Sequence, residues 1–119
     1  MGSEIKRGEI YWVDWNPSRG SEQAGIRPAL IIQNDIGNKY SPNTIVASCT
    51  KTSHKSLPFL VPIKAKESGL PNDSTVDLAS LITISKDRLR GKCGELSQDK
   101  MAEIDKAILN SLALNHYYP

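Results

Sequence analysis

Pro28-Ala29-Leu30-Ile31-Ile32-Gln33 holds four consecutive apolar residues and is too short for a typical helix. Such a run fits a β-strand buried on both faces, which places it in the middle of a sheet. Upstream, Glu9-Ile10-Tyr11-Trp12-Val13-Asp14-Trp15 is rich in aromatic and β-branched residues and stops at Asn16-Pro17, predicting a strand that ends in a turn. Between the two lies a polar stretch from Asn16 to Arg27, punctuated by Gly20, Gly25 and Pro28. It is longer than a hairpin needs, and loops of that length in small domains are usually functional. Downstream, Asn34-Asp35-Ile36-Gly37-Asn38 supplies turn residues, and Thr44-Ile45-Val46-Ala47-Ser48-Cys49-Thr50 is a second β-branched run with Thr50 at its exit.

Further strands are expected at Phe59–Ile63, Ser74–Leu78, Leu81–Ile84 and Gly91–Leu96, with Pro62 demoting the first to an edge or a bulge. Ser85-Lys86-Asp87-Arg88-Leu89 fits one helical turn capped by Ser85. From Ser97 the period changes: Met101, Ile104, Ile108 and Leu112 recur at three- and four-residue steps, with Ser97 as N-cap and Asp99 in the first turn. Several short strands closed by one amphipathic helix predict a mainly β fold, a small curled barrel with that helix packed across it.

With 119 residues and 39% hydrophobic content the chain fits one domain, 1–119. No apolar run approaches the roughly 20 residues that span a bilayer, and Met1-Gly2-Ser3-Glu4 lacks a secretory pattern, so cytoplasm is the expected compartment. Cys49 and Cys93 have no Cys or His neighbours at ligand spacing, which leaves a pair of buried thiols or, in an oxidising compartment, a disulfide. No cofactor or metal is implied. The net charge is +2, but residues 1–66 hold nine Lys/Arg against five Asp/Glu, while residues 67–119 hold six against eight. An anionic ligand therefore favours the first half.

Familiar catalytic signatures are missing: there is no GxSxG, HExxH, Walker loop or GxGxxG, and only two histidines, His54 and His116. Two segments carry candidate chemistry. In Gly20-Ser21-Glu22-Gln23-Ala24-Gly25-Ile26-Arg27-Pro28 the last cation is held at the mouth of the buried strand by the following proline. Its planar, permanently charged guanidinium suits phosphate oxygens, although a salt bridge from Arg27 to Glu22 or Asp14 fits equally. Thr50-Lys51-Thr52-Ser53-His54-Lys55-Ser56 interleaves hydroxyls and cations with no acid. It reads either as a phosphate grip or as a solvated loop.

Arg7-Gly8-Glu9-Ile10-Tyr11-Trp12-Val13-Asp14, Asn16-Pro17, the GSEQAGIRP loop, Ala47-Ser48-Cys49-Thr50 and Pro58-Phe59 together resemble the MazF/PemK toxins of bacterial toxin–antitoxin systems, nearest the Bacillus-like branch, over about Lys6 to Leu114. The resemblance implies an SH3-like barrel with a C-terminal helix (the CcdB/PemK-like fold), a homodimer, and cleavage of single-stranded RNA at short sequences. It implies that Arg27 and Thr50 are catalytic, and that Ser21, Glu22 and Gln23 lie in a loop covering the RNA. The reaction it implies needs no metal and leaves 2′,3′-cyclic phosphate and 5′-hydroxyl ends. Arg19, Lys51 and Lys55 are expected to contact phosphates, Thr52, Ser53 and His54 to bind substrate beside them, and His54 to help with proton transfer as the loop histidine near Thr50. Trp15, Phe59 and Tyr40 are candidate stacking surfaces for bases, with core packing the competing role of Trp12 and Trp15.

Two positions depart from the pattern. Ser21 stands where the PemK branch has histidine. Ala79-Ser80-Leu81-Ile82 stands where many relatives carry an acidic residue, glutamine and a basic residue before Thr-Ile. Asp77, two residues before Ala79 and so on the same face of a regular strand, is the nearest carboxylate. The resemblance also implies a neutralising antitoxin that inserts an acidic, disordered segment into the substrate groove. A rival reading on the same fold is a CcdB-like toxin that binds a protein target such as gyrase without catalysis.

Overall fold

Strands form where β-branched and aromatic residues cluster, and their pairing decides which of them are covered. The computed structural model describes residues 4–16, 25–52 and 55–115. In chain order these hold β1 (Glu9–Asp14), β2 (Ile26–Ile31), α1 (Asp35–Tyr40), β3 (Asn43–Lys51), β4 (Leu60–Ile63), α2 (Ala65–Ser68), β5 (Ser74–Ser85), a 3-10 turn (Lys86–Arg88), β6 (Leu89–Glu95) and α3 (Gln98–Ser111). The strands form a six-stranded sheet in the order β4-β5-β3-β2-β1-β6, every neighbouring pair antiparallel. β4 and β6 are its two edges among the described residues, so the expected barrel is an open sheet.

β2 lies between β1 and β3, and its Ala29, Leu30 and Ile31 are fully buried, as the apolar run predicted. Alternation sends Leu30 into a cluster with Ile10, Ala47, Cys49, Val76 and Leu78. Ala29 and Ile31 go to a second cluster with Val13, Val46 and Ile84. The C-terminal helix covers the first cluster through Ile104 and Ala107. Burying an Ile104-sized side chain contributes about 1.5–3 kcal/mol, which anchors α3. Ser97 caps it by accepting the Lys100 N–H at 3.1 Å. Ser85 likewise caps the 3-10 turn, accepting the Asp87 N–H at 3.3 Å. Leu112 departs from the expected face: it is the C-cap residue and is exposed.

Other expectations need correction. Ile26 and Arg27 belong to β2 and not to the preceding loop, and the strand ends at Ile31, before Gln33. The predicted turn at Asn34–Asn38 is the cap and body of α1: the Asn34 side chain accepts the Gly37 N–H at 2.8 Å. Asn38 is buried and donates to Gln33 O at 2.9 Å while accepting the Thr44 hydroxyl at 2.8 Å. Turn-forming residue types were thus spent on capping and on a buried hydrogen-bond hub. The two strands expected at Ser74–Leu78 and Leu81–Ile84 are one strand, β5, with a bulge: Ala47 pairs with Leu81, but the next residue, Ser48, pairs with Asp77. The helix α2 was not foreseen.

Where α2 ends, backbone meets backbone. Gly69 takes the left-handed conformation (φ 82°), and a Cβ placed on Gly94 of β6 would sit 2.2 Å from the Ser68 carbonyl oxygen. Gly91, three residues away on the same strand, has nothing within 4 Å. Among the described residues no helix is long and apolar enough to cross a membrane. Gly94→Ala is expected to destabilise the protein by about 1–3 kcal/mol through overpacking, with Gly91→Ala close to neutral; urea denaturation of the two variants measures the difference.

Candidate active site

Pro28 has no N–H to add to a ladder. The β2–β3 ladder runs Ile31–Val46, Leu30–Ala47 and Ala29–Ser48, and stops there. Continuing that register by two residues sets Arg27 opposite Thr50, at the point where the strands no longer pair. A cleft of about 660 Å³ opens at this fork, lined by Arg27 and Pro28 from β2 and by Cys49, Thr50 and Lys51 from β3. Trp12 of β1, paired with Pro28, also lines it. The remaining wall is the segment from Leu70 to Ser74 that leads into β5.

Both residues singled out as catalytic therefore face one cleft. Arg27 and Thr50 are exposed there, and among the described residues the Thr50 hydroxyl makes a single long contact, 3.3 Å, to Lys51 O. The carboxylate of Asp14, one of the salt-bridge partners considered for Arg27, is taken by others: it accepts the Asn16 N–H at 2.9 Å and Arg90 Nη2 at 2.8 Å. Glu22, the other partner, lies outside the described residues together with Arg19, Ser21, Gln23, Ser53 and His54. Lys51 lines the cleft; Thr52 stands beside it and donates its hydroxyl to Asp73 O at 2.9 Å. Lys55 is exposed and outside the lining.

The aromatic residues divide differently from expectation. Trp12 does both jobs, packing against the first core cluster and lining the cleft. Trp15 packs against the second cluster and Phe59 against the first, neither lining the cleft. Tyr40 is exposed on α1, with Lys39 Nζ 5.4 Å from its ring centroid, and does not line the cleft either.

Asp77 is also outside the lining. Its carboxylate accepts the Ala79 N–H at 2.9 Å and the Ser80 hydroxyl at 3.0 Å, closing the β5 bulge. The argument that two residues along a strand keep one face fails across that bulge. Asp77 and Leu81, four apart, pair with the adjacent residues Ser48 and Ala47, which face opposite ways.

Cys49, at the floor of the cleft, and Cys93 are both free thiols, Cys49 buried and Cys93 half-buried, so no disulfide forms. Burial, with a smaller contribution from Cys93, pushes the Cys49 thiol up to about 12. It is protonated near neutrality and supplies no nucleophile. Among the described residues no three His, Cys, Asp or Glu side chains gather where they could hold a metal ion. The Leu70–Ser74 wall was not foreseen. Only the β3–β5 register, Thr50 with Thr75 and Lys51 with Ser74, brings it beside the cleft.

Comparison with known proteins identifies the family. Residues 6–112 match the PemK-like, MazF-like toxins of type II toxin–antitoxin systems. The endoribonuclease MazF of Staphylococcus epidermidis is 46% identical over 114 residues, 95% of each chain. Among solved structures, a mycobacterial endoribonuclease in complex with its cognate antitoxin superposes with a TM-score of 0.79 at 24% identity, covering 97% of this chain and 99% of that one. The MazE–MazF complex of Deinococcus radiodurans gives 0.78 at 22% identity, covering 96% and 100%. This chain belongs to the PemK/MazF toxin family, which favours the nuclease reading over a CcdB-like one.

The strand β1 that carries Trp12 is held at both sides by carboxylates. A hydrogen bond from Asn16 N–H, followed by Arg90, keeps Asp14 below its ordinary value. Ahead of β1, Asp35 accepts the Arg7 N–H at 2.7 Å, and that bond chiefly keeps it low as well. A carboxylate with a lowered folded pKa contributes stability that is complete above its unfolded value, near 4, and lost as pH falls through the folded value. Urea midpoints at pH 5 and pH 2 are expected to show a steeper loss for the wild type than for Asp35→Asn, the two converging at the acid end.

Proposed function

We propose that the cleft between Arg27 and Thr50 is where this endoribonuclease toxin cuts single-stranded RNA. The observation that carries the proposal is that two residues 23 positions apart come to the ends of neighbouring strands, in register, on one cleft. RNA brings its own nucleophile. The ribose 2′-oxygen attacks phosphorus, the P–O5′ bond breaks, and the 2′-proton goes to an acceptor while the 5′-oxygen gains one. The ends left are a 2′,3′-cyclic phosphate and a 5′-hydroxyl, with no metal required. What the protein must supply is in-line positioning and compensation of the charge that builds on the phosphorane.

Arg27 is suited to that compensation, since its guanidinium stays charged and offers forked donors. The Thr50 hydroxyl donates to a phosphate oxygen, and Lys51 adds a second cation beside it. A guanidinium is a poor base near neutrality, so the proton acceptor is another group. His54, four residues after Thr50, is the candidate, with Glu22 and Gln23 closing over the strand. Arg19, Ser21, Thr52, Ser53 and Lys55 contribute phosphate contacts that weaken with salt. Phe59 and Asp77, which lie off the cleft, act through the first core cluster and the β5 bulge.

Family membership supports a wider setting for this reading. The protein acts in the cytoplasm, as one domain that pairs with a second copy, and a cognate antitoxin neutralises it by laying an acidic segment along the basic first half of the chain. The CcdB-like reading, in which a protein is the target, predicts no RNA cleavage at all.

Purified protein incubated with RNA in EDTA is expected to give discrete fragments with 5′-hydroxyl ends. Arg27→Ala and Thr50→Ala are expected to lower the rate by about 10²–10³ and a smaller factor respectively, with circular dichroism and melting unchanged. Full activity of both variants would remove the cleft from the mechanism, and full activity of His54→Ala would exclude the histidine.

A further inference from the structure

Donor-only cations hold phosphates or guanine's paired acceptors, whereas an edge with a donor beside an acceptor, such as adenine's, is matched in two bonds by a side chain that carries both. Of the polar residues on the cleft, Arg27 and Lys51 only donate, and the Thr50 hydroxyl sits 3.3 Å from Lys51 O. Asp73 only accepts and is occupied: its carboxylate takes the Ala65 N–H at 2.8 Å and lies 3.8 Å from Lys64 Nζ. Ser74 donates its hydroxyl to Asn72 O at 3.1 Å. That leaves Asn72. Its carboxamide carries an N–H₂ beside a carbonyl oxygen, is exposed, and makes no side-chain hydrogen bond with a described residue.

The segment is also held in place. Leu70 is buried in the first core cluster and Pro71 restricts the backbone before Asn72. The Asp73 carbonyl accepts the Thr52 hydroxyl at 2.9 Å, tying the segment to the exit of β3. Asn72 is thus presented on a fixed wall of the cleft, against the wall of Arg27, Thr50 and Lys51. A backbone held this way leaves only the short Asn72 side chain to be ordered on binding, which favours discrimination between bases.

We propose that Asn72 is a specificity-determining residue, which hydrogen-bonds the edge of a base beside the scissile phosphate and selects adenine there, whose adjacent donor and acceptor match a carboxamide. This rests on the cleft being the RNA-cleaving site. Nothing in it requires Asn72 to touch the reacting atoms.

The test maps the 5′ ends of fragments from a pool of randomised RNA cut by wild type, Asn72→Ala, Asn72→Asp and Arg27→Ala. Wild type is expected to prefer adenine at one position. Asn72→Ala is expected to lower that preference by about 5–100-fold, with the loss falling on RNA that carries adenine there. Asn72→Asp, an acceptor only, is expected to turn the preference toward cytosine, whose exocyclic amine donates. An equal loss on every sequence, or an unchanged preference in both Asn72 variants while Arg27→Ala is slowed, overturns the role of Asn72 alone. Cutting by Arg27→Ala at the wild-type rate overturns the site and this assignment with it.

Discussion

Pro28 occupies the one place in β2 where the strand must stop bonding to β3 and still bond to β1. Inward of it, three fully buried residues tie β2 to both neighbours. Outward, β2 stays paired with β1 through Arg27–Val13 and Ile26–Asp14, while β3 continues to Lys51 against β5. The two strands share a root and have separate partners at their tips. The cleft is the gap between tips that are each supported from outside, and so Arg27 and Thr50 are set by the sheet and not by a loop.

The same sheet explains how one short chain keeps two apolar clusters. A regular strand would send all residues of one parity to one face. The bulge in β5 reverses parity midway, so Val76 and Leu78 enter the first cluster with Leu81, while Ile84 enters the second. Asp77 supplies the hydrogen bonds that close the bulge. A position that sequence reasoning offers as a stand-in carboxylate for chemistry is thus taken up in shaping a strand.

What the sequence disclosed follows from how local each signal is. The buried run at Ala29–Ile31, the helix after Ser97 and the capped turn after Ser85 depend on residues a few positions apart, and each stands where its pattern put it. Arg27 and Thr50 were found because one precedes a proline at a strand entrance and the other ends a β-branched run, with the family resemblance joining them. α1 was hidden because Asn34, Gly37 and Asn38 are turn formers whose helical use depends on partners such as Gln33 and Thr44. The Leu70–Ser74 wall was hidden because its place depends on a register between β3 and β5, which no local pattern encodes.

Cys49 closes the floor of the cleft with its sulfur buried and its proton firmly held. Peroxides and alkylating reagents attack the thiolate form, so burial of Cys49 slows such attack beneath Arg27 and Thr50. The base of the groove is thus lined by a thiol whose own burial keeps it in its less reactive form.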